Sequence, residues 1–144
     1  MNVIVIHGPN LNLLGSRELS VYGQATLAEV NKEIEDAAGG LGVQIETHQT
    51  AREGEIIELL HAAIDRVSGA LLNPAAYSHT SRAIADAIRA VPFPVVEVHL
   101  SNIYAREPWR RSSVTAEAAA GIVAGFGANS YIAGLIALRG LLQA

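Results

Sequence analysis

Five short apolar runs alternate along this chain with segments of helical periodicity, and few arrangements other than a layered sheet can satisfy that order. The runs are Asn2–His7, Val43–Gln49, Gly69–Asn73, Pro94–His99 and Gly121–Gly125. Helices are predicted over Thr26–Ala38, Glu53–Val67, Ser81–Val91 and Ala128–Leu142. In the second of these, Ile56, Leu59, Leu60, Ala63, Ile64 and Val67 recur at helical spacing and leave Glu55, Glu58, Asp65 and Arg66 outward. Thr26 and Glu29 stand at capping-box spacing where the first begins.

Strands that are apolar on both faces need cover on both faces, and a helical crossover between parallel strands supplies it. The predicted fold is therefore α/β, a flavodoxin-like doubly wound parallel sheet of five strands with helices on both faces. With 144 residues and no repeat, low-complexity tract or linker, the chain reads as a single domain over 1–144. In such sheets ligands bind beyond the carboxyl ends of the strands. Three polar segments are predicted to gather there: Gly8–Gly23, Asn73–Thr80 and His99–Arg110. The first belongs to the longest irregular stretch, Gly8–Ala25, and loops of that length are usually functional.

Composition limits what those segments can do. There is no cysteine, which removes disulfides, thiolate nucleophiles and metal–thiolate centres. The single lysine, Lys32, sits among Glu29, Glu33 and Glu35 on a helix. Imine chemistry needs a desolvated amine, so Lys32 reads as a surface residue. A formal net charge of −4 argues against a nucleic-acid or anionic-membrane partner. Half of the chain is apolar and only 17% charged, a sparse coat that points to cover by sister subunits. Met1 leads straight into the first strand with no basic leader, so a cytoplasmic protein is expected. The apolar stretch from Ala128 to Ala144 is interrupted by Gly134, Arg139 and Gly140 and reads as a packed terminal helix, not a membrane span.

The densest chemistry lies between Pro94 and Ser112. Period-two alternation puts Val96, Val98 and Leu100 on one face and Glu97, His99 and Ser101 on the other. A carboxylate, an imidazole and a hydroxyl thus meet at a strand end, where Glu97 can fix the tautomer of His99. Arg106 and Arg110 follow, able to hold a carboxylate or hydroxyls, or to pair with Glu107. In the first segment Gly15 and Gly23 bracket Arg17 and Tyr22, the pattern of a hinged lid. A phenol must lose its proton to act as a base, which costs roughly 4 kcal/mol near pH 7 for an ordinary tyrosine. A nearby guanidinium offsets part of that cost, and Arg17 is close in sequence. In the middle segment, Asn73 ends a strand and Ser78, His79, Thr80 and Ser81 open a helix, with Asp86 two turns beyond His79. These residues fit either oxyanion binding or plain capping with a surface aspartate.

The motifs GPNLNLLG, RE, YG, QTAREG, NPAAYSHTS and EVHLSNIYAREPWR, followed by GFG, run in order over nearly the whole sequence. Together they resemble the type II 3-dehydroquinate dehydratases. The resemblance implies a metal-free and cofactor-free anti elimination of water from 3-dehydroquinate, giving 3-dehydroshikimate. It carries the base over to Tyr22, its stabilising cation to Arg17, the enolate contact to Asn10, the acid to His99 and its carboxylate partner to Glu97. Substrate contacts carry over to Asn73, His79, Asp86, Arg110 and the Leu100–Ser101 backbone. In this family the equivalent of Asp86 reaches a neighbouring subunit's site within a dodecamer of four trimers. The chain departs from the pattern at His7 (usually Asn), Leu19 (often Pro), Thr50-Ala51 (a Ser-Asn type pair) and Ala75 (usually Gly).

Two other readings compete. A flavin- or nucleotide-binding module would share the fold, but the chain has no GxGxxG or GxxxxGK[ST] signature and few aromatic residues. A receiver-type scaffold would want acidic residues after the first strand, where His7-Gly8-Pro9-Asn10 stands instead.

Overall fold

The computed structural model describes residues 1–144 throughout. Its five strands are β1 (Asn2–His7), β2 (Gln44–Gln49), β3 (Gly69–Asn73), β4 (Val95–His99) and β5 (Gly121–Ala124). All neighbours pair in parallel, in the order β2-β1-β3-β4-β5. This is the flavodoxin-like order predicted from the alternation. Its helices are α1 (Leu19–Tyr22), α2 (Leu27–Leu41), α3 (Glu53–Ala62), α4 (Arg82–Ala90) and α5 (Asn129–Gln143).

Alternation along the strands divides the core into two layers. Val3 and Val5 of β1, Leu71 of β3 and Val96 and Val98 of β4 pack against Val30, Ile34 and Ala38 of α2 and Tyr131, Leu135 and Leu138 of α5. Ile4, Ile6 and Leu72 face the other way, against Ile56 and Leu60 of α3 and Ile84, Ala87 and Ile88 of α4. Each fully buried side chain of this size removes roughly 1.5–3 kcal/mol worth of apolar surface from water. A one-residue slip of a strand would move each of these side chains into the opposite layer, and that is what holds the register.

Helix ends follow local chemistry. Thr26 caps α2 by accepting from the Glu29 N–H at 3.2 Å, and Ser81 caps α4 through the Ile84 N–H at 3.0 Å. Several boundaries differ from the sequence reading, and α2 runs on to Leu41, three residues past the predicted Ala38. The second helix stops at Ala62 instead of Val67, and Asp65 then adopts a left-handed φ of 67°. His79 does not lie on the helix that carries Asp86. It ends a separate 3-10 turn, Ala75–His79, and α4 begins only at Arg82. The two-turn spacing inferred for His79 and Asp86 therefore does not hold, because Thr80 breaks the helical hydrogen bonding between them. The lid also contains a single helical turn, α1, that its polar sequence did not announce.

Candidate active site

The cavity opens beyond the carboxyl ends of β1, β3 and β4, where the winding of the sheet reverses. Asn10, Arg17 and Tyr22 line it from the first loop, Asn73 and His79 from the second, and His99 and Ser101 from the third, with Leu100, Arg106 and Arg110 completing the wall. The three polar segments thus converge as expected. Gly8 makes the closure possible: a Cβ there would stand 2.8 Å from the Pro74 carbonyl carbon and oxygen. Beyond it Asn10 takes a left-handed φ of 71°, turning the chain into the lid.

Two cations converge on the Tyr22 hydroxyl. Its hydroxyl oxygen accepts from Arg17 Nη2 at 3.1 Å and from Arg106 Nη1 at 2.6 Å. Arg17 also lies 4.2 Å from the ring centroid, and its Nη1 reaches the Asn10 carbonyl at 3.5 Å. The second cation is what sequence reasoning missed. Arg106 was read as a ligand-binding or Glu107-paired residue, yet it spans 84 positions to reach the phenol, and it further contacts Ser101 Oγ at 3.4 Å and Glu18 at 3.7 Å. Only its position in a strand-end loop hinted at this.

The same cavity is lined by one member of a buried acid–imidazole pair. His99 Nε2 donates to Glu97 Oε2 at 2.8 Å, which orders the ring and leaves Nδ1 for a ligand. Glu97 is fully buried yet well satisfied, since it also accepts from Ser113 Oγ at 2.7 Å and from the Thr115 hydroxyl. Those two hydroxyls were not foreseen. They come from the irregular segment after the loop, where no periodicity marks them. His79 stacks beside His99, with centroids 6.5 Å apart, and its Nδ1 donates to the Ser112 carbonyl at 2.7 Å. Burial holds the His79 ring below the usual imidazole range, against the pull of that carbonyl bond. A neutral ring protonated at Nδ1 offers Nε2 as an acceptor for a ligand hydroxyl.

Arg110 lines the cavity and pairs with Glu107 at once, its guanidinium lying 4.1 Å from the Trp109 ring centroid. The pairing with Glu107 is one of the two alternatives read from the sequence. Asp86 does not join this cavity. Its side chain is 83% exposed on the outer face of α4, 3.6 Å from Arg89. Lys32 lies on the surface of α2, paired with Asp36, which raises its pKa further and leaves it far from the cavity chemistry. No group of three or more His, Asp or Glu side chains stands where it could hold a metal ion.

The Dehydroquinase class II family model matches residues 1–139 of the chain. The chain belongs to the class II dehydroquinases. A 3-dehydroquinate dehydratase of Aliarcobacter butzleri is 49% identical over 143 residues, 99% of this chain and 87% of the relative. That of Clostridium acetobutylicum is 47% identical over 99% of both chains. Among solved structures, the type II dehydroquinase of Propionibacterium acnes superposes with a TM-score of 0.91 at 37% identity, covering 99% of this chain and 97% of the other.

Two departures from the family pattern are legible in this dehydroquinase. Ala75 keeps the left-handed turn expected of a glycine, with φ 53°, and its N–H donates to Asn73 Oδ1 at 3.0 Å. The conformation costs an L-residue about 1 kcal/mol. His7 lies wholly inside, with Nδ1 2.8 Å from the Tyr131 hydroxyl and Nε2 2.8 Å from Asn31 Oδ1. Burial lowers its pKa from 6.5 to about 4. In the unfolded chain this ring takes up a proton as pH falls below 6.5, whereas the folded ring stays neutral until about 4. Folding stability from His7 is thus complete above pH 6.5 and is lost progressively down to pH 4, by about 3 kcal/mol in all. His79, lowered likewise, works in the same direction. Urea denaturation at pH 7 and pH 4.5, at one protein concentration, is expected to show lower stability at the acid pH and a smaller difference in His7→Asn. An equal stability difference between the two pH values in both proteins would contradict the buried neutral ring.

Proposed function

We propose that Tyr22 as base and His99 as acid carry out the 3-dehydroquinate dehydratase reaction that family membership assigns to this chain. The observation that carries the reading is a phenol held by two guanidinium groups in the same cavity as a buried Glu97–His99 pair. Arg17 and Arg106 place positive charge where a phenolate would form, so the Tyr22 oxygen can take the proton alpha to the ketone. The C–H electron pair becomes an enolate, whose oxygen Asn10 helps hold through a water. As the enolate collapses, the β C–O bond breaks and His99 delivers a proton from Nδ1, so that hydroxyl leaves as water. Glu97 keeps the ring oriented throughout.

Substrate binding follows from the remaining lining. Arg110 and the Leu100–Ser101 backbone supply donors, Asn73 an amide, and His79 an acceptor for a substrate hydroxyl. Asp86, exposed on α4, serves the site of a neighbouring subunit in a homododecamer of four trimers. Large exposed apolar side chains support such an assembly, among them Phe126 at 67%, Ile136, Leu141 and Trp109. A cytoplasmic location belongs to the same reading. No helix is long and apolar enough to cross a membrane.

Nothing in this scheme uses an imine or a metal. The purified protein is expected to convert 3-dehydroquinate to the conjugated enone, followed as rising ultraviolet absorbance, at the same rate with and without EDTA. Borohydride added with substrate should leave the protein unlabelled. Loss of activity to the chelator, or a covalent adduct at Lys32, contradicts the proposed chemistry.

A further inference from the structure

Asn73 meets the cavity with most of its amide already engaged. Its Oδ1 accepts from the Ala75 N–H, and its Nδ2 donates one hydrogen to the Tyr131 hydroxyl at 3.0 Å. An amide nitrogen carries two hydrogens, so one N–H remains. Tyr131 can accept from Asn73 while sending its own proton to an acceptor, and His7 Nδ1 lies 2.8 Å away. Nδ1 accepts when the ring proton sits on Nε2, which is where Asn31 Oδ1 receives it. The chain of hydrogen bonds then runs one way, from Asn73 to Tyr131 to His7 to Asn31, and leaves the second Asn73 N–H unengaged.

The fold brings these groups together for a clear reason. His7 and Asn73 are register partners on β1 and β3 and face the same layer, under Tyr131 of α5 and Asn31 of α2. The His7 and Tyr131 rings meet edge to face with centroids 5.1 Å apart. The buried ring stays neutral at physiological pH, so one ring nitrogen is always free to accept, and the Asn31 Oδ1 at Nε2 makes that nitrogen Nδ1.

We propose that His7 and Tyr131 are positioning residues for substrate binding, locking the Asn73 amide so that its one free N–H is presented to a substrate oxygen. The inference rests on the reading of Asn73 as a substrate contact. Without the Tyr131 hydroxyl, Asn73 Nδ2 and His7 Nδ1 both lose a buried partner, and the amide turns to recover one. Binding equal in ground and transition states is lost, which raises KM and spares kcat.

The test is a double-mutant cycle on KM in the ultraviolet assay. Asn73→Ala is expected to raise KM about tenfold with little change in kcat. Tyr131→Phe is expected to raise it about three- to tenfold in the native background and not at all in the Asn73→Ala background. His7→Leu should behave like Tyr131→Phe and takes its place in the cycle where the latter does not fold. His7→Asn keeps an acceptor near the Nδ1 position and should retain the native KM. An unchanged KM in Asn73→Ala sinks the substrate contact itself. A raised KM in Asn73→Ala combined with a Tyr131→Phe effect that is absent, or the same in both backgrounds, overturns the positioning role alone.

Discussion

Tyr22→Phe is expected to lower kcat by about a thousandfold or more while leaving the fold intact. Phenylalanine keeps the ring that Arg17 covers at 4.2 Å, so the lid retains its main packing contact. What disappears is the oxygen on which Arg17 and Arg106 converge. The two guanidinium groups are then left with Glu18 as their only anion, at 3.3 and 3.7 Å, and no other group in the cavity is assigned to take the proton that the phenolate takes. His99, oriented by Glu97, serves as the acid, and the free Nε2 of His79 accepts from a substrate hydroxyl while its Nδ1 donates to the Ser112 carbonyl. KM should change far less than kcat, because the lost group acts on a proton and not on the resting substrate. Steady-state ultraviolet assays, with circular dichroism as the check on folding, measure the effect. Turnover near the wild-type value would require another base.

The second large effect is expected at the other end of the reaction. His99→Ala removes the acid and should cost about a hundred- to ten-thousandfold in kcat. It also strips a partner from fully buried Glu97, which keeps only the Ser113 and Thr115 hydroxyls. A stability loss of about 1–3 kcal/mol should accompany it. Activity alone therefore does not separate lost chemistry from a damaged fold, but isotope exchange does. In deuterated water, His99→Ala still has Tyr22 to form the enolate, so unreacted substrate should slowly take up deuterium at the alpha carbon. Tyr22→Phe should take up none. Mass spectrometry of recovered 3-dehydroquinate reads both outcomes. Equal exchange in the two variants would reverse or dissolve the assignment of base and acid.

These expectations depend on very different amounts of information in the sequence. Glu97 and His99 were legible because two residues apart on a strand means one shared face, whatever the rest of the molecule does. Arg17 and Tyr22 were legible because five residues within a short loop cannot separate far. Arg106 was visible as a candidate and misjudged in its partner, since nothing local says that a loop after β4 must bend over the lid after β1. Ser113 and Thr115 follow the same rule, lying 16 and 18 positions from the carboxylate they satisfy. Asp86 shows the converse. Helical spacing joined it to His79, and a break at Thr80 turned it outward. His7 was noticed only as a departure from a family pattern. Its role needed Tyr131, 124 residues away, to be seen on top of it.

The amino-acid sequence by itself determined the order of the strands and of the four longer helices, the two-layer core, the caps at Thr26 and Ser81, and the strand ends at which a site had to form. Those are consequences of backbone periodicity and short-range hydrogen bonding, and they are written in neighbouring residues. Only the tertiary structure decided which cations meet the Tyr22 oxygen, what satisfies Glu97, and how a buried histidine is tied to Asn73. Each of those depends on where long-separated loops and helices converge once water has been excluded, and no local repeat encodes that distance.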